Sequence, residues 1–157
     1  MVNSPNTHDI IEGHQQRFGP VLAALHKDSV DFGAWSAQSY EQLLIQPAVS
    51  SLIITEGEKP IGFLLFSATQ YEAEILMLCI HPAYRRLSFA GQLLRSFIAK
   101  LRDLNISDLL LEVAENNDNA HKLYGNFGFE KVGTRPAYYE SSGGKKVSAA
   151  VLKRIIT

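Results

Sequence analysis

The sequence has a single cysteine. A lone thiol closes no internal disulfide and builds no cysteine-rich zinc site, so the framework rests on neither. Long apolar runs are also missing. No stretch approaches the roughly 18 residues that a membrane-spanning helix needs. Met1 to Gly13 lacks the basic-then-apolar order of a secretory signal, and a cytoplasmic address is the expectation. Charge of one sign is not in excess either: 15 Lys and Arg stand against 16 Asp and Glu, a formal net charge of −1. Direct nucleic acid binding or membrane binding by bulk electrostatics is therefore not expected, although a local basic site is still allowed. His8 and His14 fall at no spacing that makes a metal site, and no metal is expected.

What is present reads as one folded domain. The 157 residues are 46% hydrophobic and 20% charged, enough apolar material for a real core. Residues 1–17 are polar and are expected to form a flexible or loosely docked N-terminal segment, with 18–157 as a single domain. Pro20, Val21, Leu22 and Leu25 predict a helix with proline in its first turn. Ser36 is a candidate N-cap for a second helix through Leu44, with Trp35 before it as a staple residue or a groove wall. Leu52–Glu56 and Ile61–Ser67 around Gly57-Glu58-Lys59-Pro60 predict a β-hairpin. Gly62 inside the second strand marks a close backbone approach or a bend.

Ala73 to Ile80 predicts a central strand, apolar on both faces. It runs into His81-Pro82-Ala83-Tyr84-Arg85-Arg86-Leu87-Ser88 and then a helix with Ala90, Leu93, Leu94, Phe97, Ile98 and Leu101 on one stripe. Backbone N–H groups at such a helix start make an anion site, and Arg85 and Arg86 add two guanidinium forks suited to phosphate oxygens. A phosphate-bearing cofactor at this turn is the inference. Downstream come a strand from Ser107 to Val113, a helix opening at Asn117-Asp118-Asn119 and closing at Gly128, and two strands, Phe129–Thr134 and Lys146–Leu152, around Gly143-Gly144. The class is α+β.

These residues carry a resemblance. Ala34-Trp35-Ser36, Glu74 through Pro82, the loop and helix to Leu94, Leu111-Glu112-Val113, Asn117, Ala120, Leu123-Tyr124, Gly128-Phe129 and Tyr138-Tyr139 resemble the GNAT acetyltransferases, and within them the RimI-like ribosomal-protein alanine N-acetyltransferases. The resemblance covers roughly residues 20 to 154. It implies a GNAT-like mixed, mostly antiparallel central sheet flanked by about four helices, with acetyl-CoA as cofactor. In the loop, Arg85 and Ala90 match the family pattern, while Ser88 stands where the family has its first glycine. A glycine there permits a left-handed backbone. Serine adds either a Cβ that crowds the pyrophosphate or a hydroxyl that joins its contacts. Ser148-Ala149 stands where the family has an Asp-Ala pair.

The resemblance also implies roles. Backbone groups of Leu78, Cys79 and Ile80 pair with the pantetheine arm, and Arg85, Arg86, Ser88, Phe89, Ala90, Gly91 and Asn117 contact the cofactor. Glu112 is the general base and Tyr124 the general acid; Trp35, Tyr138 and Tyr139 are candidates for the acceptor groove. The residue chemistry is compatible. An α-amine with a pKa of about 8 needs only a weak base, and a phenol can protonate a departing thiolate. Each residue has a plainer alternative: a solvated strand-end carboxylate for Glu112, a packed core tyrosine for Tyr124, helix capping for Asn117. Cys79 reads as a small core residue rather than an acyl carrier, because no His–Asp series accompanies it. The implied acceptor is a protein or peptide N-terminus, an alanine of a small-subunit ribosomal protein, attacked directly in a ternary complex. A lysine or small-amine acceptor, or a non-catalytic module of the same fold, are the alternatives.

Overall fold

A computed structural model of the chain describes residues 7–140 and 143–157. The chain packs as two compact units: residues up to Ser67 with Met77–Phe97, and Ala68–Leu76 with Ile98–Thr157.

The first unit contains β1 (His8–Glu12), α1 (Gly19–Ser29), α2 (Ala37–Leu44), β2 (Val49–Glu56) and most of β3 (Lys59–Ala68). It also holds the C-terminal half of β4 (Glu72–Ile80) and the first nine residues of α3 (Phe89–Asp103). Its strands are ordered β1-β2-β3-β4. Local chemistry explains the helix starts. Pro20 sits in the first turn of α1, and the Ser36 hydroxyl accepts the Ser39 N–H at 3.1 Å to cap α2. The β2–β3 hairpin turns at Gly57, whose φ is 58°. Tyr40, Ile53, Ile54, Phe63, Leu64, Leu65 and Phe97 are fully or almost fully buried, with the Phe66 and Phe97 rings 4.4 Å apart. At Gly62 an added Cβ would lie 2.8 Å from the Cys79 carbonyl oxygen and 2.5 Å from Ile80 Cδ1. The close approach expected from the sequence is present.

The second unit contains the N-terminal half of β4, the end of α3, β5 (Asp108–Ala114), α4 (Asp118–Asn126), β6 (Glu130–Glu140) and β7 (Lys146–Ile155). The strand order is β4-β5-β7-β6. β4 and β5 are parallel, with Glu72–Ile75 against Asp108–Leu111. β5–β7 and β6–β7 are antiparallel, as is β1–β2–β3 in the first unit. This is a mixed, mostly antiparallel α+β architecture with four helices among the described residues. Both α3 and α4 end in Schellman turns. Asn105 (φ 56°) closes α3 through Ile106 N–H to Leu101 O at 2.9 Å, and Gly128 (φ 78°) closes α4 through Phe129 N–H to Tyr124 O at 3.1 Å.

Two expectations need correction. Residues 8–12, read from sequence as part of a flexible terminus, form β1, paired along its whole length with β2. Its side chains are mostly exposed. A strand held by its backbone ladder at a sheet edge leaves little apolar pattern to read. β6 also runs to Glu140, past the expected end at Thr134, with an irregular register between Arg135 and Tyr139. Proline at 136 interrupts the ladder there and disguises the strand.

Candidate active site

In the first unit, the turn between β4 and α3 is built from an unusual backbone. Arg86 and Ser88 both have positive φ, 61° and 66°, the left-handed region. The Ser88 carbonyl accepts the Gln92 N–H at 3.0 Å, so Ser88 stands at the N-cap of α3. Serine thus adopts the conformation that a glycine would take there at less cost. The N–H groups of Phe89, Ala90 and Gly91 form the first turn and have no intrahelical acceptor, which is the geometry that suits an anion. Phe89 is buried, its ring 4.6 Å from His8 and 6.3 Å from Tyr84. β1 therefore helps to seat the helix start.

The two arginines differ in placement. Arg86 is exposed. Arg85 donates from Nη2 to the Ser29 carbonyl at 2.6 Å and from Nε to the Ile80 carbonyl at 3.3 Å. Its guanidinium ties the end of α1 to the end of β4, which differs from the expectation of two forks facing a phosphate. A carbonyl at a helix C-terminus attracts a cation strongly, and this one lies within reach. Leu78 and Ile80 are half-buried and Cys79 is buried. Burial pushes the Cys79 thiol up to about 12, with Arg85 opposing weakly. A thiol so placed stays protonated near neutrality, in keeping with a core role.

Trp35 is held from below. Its backbone N–H donates to His26 Nδ1 at 3.1 Å, and the Tyr40 hydroxyl lies 2.9 Å from the same nitrogen. A nitrogen that accepts from an amide must carry a lone pair, so Tyr40 donates as well and the imidazole proton is on Nε2. His26 is buried, and desolvation lowers its pKa. The Trp35 ring packs 5.7 Å from His26 and 5.5 Å from Tyr40. It also borders a surface groove with Ser39, Gln42, Leu43 and Gln46. The Trp35–Tyr40 contact is the packing that a staple residue makes.

The second unit gathers charge at the end of β5. Glu112 is largely covered, its side chain 17% exposed, and its Oε1 accepts from Arg135 Nη2 at 2.9 Å. The Tyr139 hydroxyl donates to the Glu112 carbonyl at 3.3 Å. Two sequence-predicted residues are thereby brought together. Tyr138 lies in β6, and its side chain is outside the described residues. Glu74 on β4 belongs to the same neighbourhood. Partial burial raises its pKa above the ordinary carboxylate range, Glu112 and Glu72 add to the effect, and Arg135 counters it. Tyr124 is 7% exposed on α4, its ring 5.4 Å from Phe129. The Asn117 side chain accepts the Ala120 N–H at 3.2 Å and caps α4, the plainer of its two readings.

Arg135 and Glu74 were not singled out from sequence as site residues. Glu74 carries a weak signal, a carboxylate on the same strand face as Leu76 and Leu78 in an otherwise apolar strand. Arg135 carries none, since its relation to Glu112 depends on a register 23 residues away. Among the described residues no group of side chains is arranged to hold a metal ion, and no helix is long and apolar enough to cross a membrane.

Comparison with known proteins places these features in a family. The model of the acetyltransferase (GNAT) family matches residues 20–129. The [ribosomal protein bS18]-alanine N-acetyltransferase of Haemophilus ducreyi is 32% identical over 102 residues, 65% of this chain and 70% of that protein. The N-alpha-acetyltransferase RimI of Mycobacterium tuberculosis is 28% identical over 113 residues, 69% of this chain and 70% of that protein. Among solved structures, the ribosomal-protein-S18-alanine N-acetyltransferase from Escherichia coli superposes with a TM-score of 0.88 at 22% identity, covering 96% of this chain and 95% of that one. Arabidopsis thaliana NAA60 in complex with acetyl-CoA superposes with a TM-score of 0.80 at 15% identity, covering 96% and 99%. A left-handed turn opening a helix after a strand, a covered glutamate at the end of the next strand and a family match over 110 residues lead to one conclusion. The chain is an acyltransferase enzyme that belongs to the GNAT family of N-acetyltransferases.

Proposed function

We propose that this enzyme transfers an acetyl group from acetyl-CoA to the N-terminal α-amine of a protein, an N-terminal alanine of a small-subunit ribosomal protein, in the cytoplasm. The observation that carries the reading is the Glu112 carboxylate, mostly withdrawn from solvent yet held by Arg135 at 2.9 Å. The names of the RimI-like relatives supply the acceptor class.

Acetyl-CoA, when bound, supplies the acetyl thioester. The residues present fit it: the first-turn N–H groups of Phe89, Ala90 and Gly91, with Ser88 and the exposed Arg86 beside them, suit a diphosphate. Backbone groups of Leu78, Cys79 and Ile80 suit an amide-bearing arm that pairs like an added strand. Arg85 positions the loop from α1, and Asn117 offers the rest of its amide beyond the capping bond. Glu112 takes the proton from the acceptor's ammonium, which frees the nitrogen lone pair for direct attack. Tyr124 gives its phenolic proton to the departing thiolate. Trp35, Tyr138 and Tyr139 contact the acceptor.

The test is acetylation by the purified protein of two peptides, one with a free N-terminal alanine and one with a blocked N-terminus and an internal lysine. Tandem mass spectrometry then locates the acetyl group. Modification of the α-amine is expected. Modification of lysine alone would replace the acceptor, and absence of any acetyl-CoA heat in calorimetry would leave a non-catalytic module.

A further inference from the structure

Glu112 is surrounded by charge of both signs from three other strands of the second unit. The parallel register sets Glu74 of β4 opposite Leu110 of β5. Glu112, two residues on, points to the same face as Leu110, which makes it a diagonal neighbour of Glu74 at a backbone separation of about 8 Å. On the other side, Glu112 stands opposite Val151, Val151 opposite Gly133, and Ala149 opposite Arg135. Gly133 and Ala149 are small, and Arg135 reaches over β7 to Glu112. Among the described residues, the other charged groups on this face are Glu72, Asp108 paired with Lys153 at 3.2 Å, and Glu130, the register partner of Lys153. Tyr139 is engaged with the Glu112 carbonyl.

Arg135 alone would cancel the charge of Glu112 and present a neutral pair to an incoming cation. Glu74 changes that balance. Partial burial first, and the negative charge of Glu112 second, raise the Glu74 carboxyl above its usual value.

We propose that Glu74 and Arg135 are positioning residues of the acetyl transfer that act through Glu112 in opposite senses. Arg135 orients the Glu112 carboxylate through the 2.9 Å contact. Glu74 restores the negative charge that Arg135 removes, so the acceptor's ammonium meets a net anionic cluster. The proposal rests on the reading of Glu112 as base. In the step it serves, an N–H bond of the ammonium breaks and its proton passes to the Glu112 carboxylate. The nitrogen lone pair forms the new C–N bond, the C–S bond breaks, the thiolate takes the Tyr124 proton, and the second N–H proton leaves the new amide nitrogen to restore the Tyr124 phenol.

Two measurements on the full chain test it. Carbon-13 NMR titration of the Glu74 carboxyl is expected to give a midpoint above the ordinary glutamate value that falls in Glu112→Gln. A midpoint unmoved by that substitution overturns the proposal. In pH profiles of kcat/KM with an N-terminal-alanine peptide, Glu74→Gln is expected to move the acid limb down by about half a pH unit and raise KM about threefold. Arg135→Gln is expected to move the limb up by about one unit, with Arg135→Lys restoring it. Loss of folded enzyme lowers the whole profile and does not move limbs in opposite directions. Limbs that stay put, or move together, while Glu112→Gln is inactive overturn the positioning roles and leave Glu112 as base. Full activity of Glu112→Gln overturns the base reading, and the proposal with it.

Discussion

The turn before α3 and the end of β5 each present polar groups, but they are built from different material. At the turn the useful groups are backbone N–H donors, and the chain gets them into place by holding Arg86 and Ser88 at positive φ. One of the two guanidinium groups beside it, that of Arg85, is engaged on the carbonyls of Ser29 and Ile80. At the end of β5 the useful groups are side-chain charges, brought together by strand register. A backbone site tolerates side-chain change as long as the dihedral angles survive. A side-chain site is lost atom by atom.

That contrast can be tested in descending order of effect. Glu112→Gln removes the proposed proton acceptor and leaves the backbone alone; kcat/KM should fall by about 100-fold or more, with acetyl-CoA affinity by calorimetry unchanged. Tyr124→Phe keeps the packing on Phe129 and removes only the hydroxyl. Steady-state assays should show turnover down by at least about tenfold, again with acetyl-CoA binding intact. Unchanged turnover would take Tyr124 out of the chemistry.

Backbone changes should behave differently. Gly62→Ala drives a methyl into the Cys79 carbonyl and Ile80, and urea unfolding should show a loss of about 2 kcal/mol. Ser88→Gly relieves a left-handed residue and should gain about 1 kcal/mol in the same measurement. Its acetyl-CoA affinity separates the two readings of the serine: tighter binding means that the Cβ crowds the phosphate, weaker binding that the hydroxyl contacts it.

The smallest effect concerns His26. Its folded-state pKa is depressed by burial, so the neutral form is the one that accepts from Trp35 and Tyr40. Below the unfolded-state value of about 6.5 the unfolded chain takes up a proton that the folded one resists. The contribution is therefore fully present above that pH and is lost as pH falls through the folded value. Thermal melts at pH 7 and pH 5.5 should differ more for the native protein than for His26→Gln.

Much of this architecture is written locally. Ser36 and Asn117 as caps, Gly128 as a helix stop and Gly62 as a close approach follow from what each residue's own backbone or side chain can do, and each is found in that role. The stripe from Ala90 to Leu101 is legible because helical periodicity repeats it. β1 was not legible, because an edge strand paired through its backbone needs no apolar alternation. The carbonyl contacts of Arg85 are not legible in sequence, because a guanidinium suits both a phosphate and a helix-terminal carbonyl and proximity in the fold brings the carbonyls within reach.

The kind of fold and the family to which the chain belongs are legible in residue order and short-range conformation; the positive φ of Arg86 and Ser88 is not, because neither residue type favours it. Tertiary structure alone decided which charges surround Glu112. Arg135 and Glu74 are separated from it by 23 and 38 residues, and only the register of β4, β5, β7 and β6 sets them on one face. Coulomb interactions depend on distance in space, and no local pattern encodes that distance.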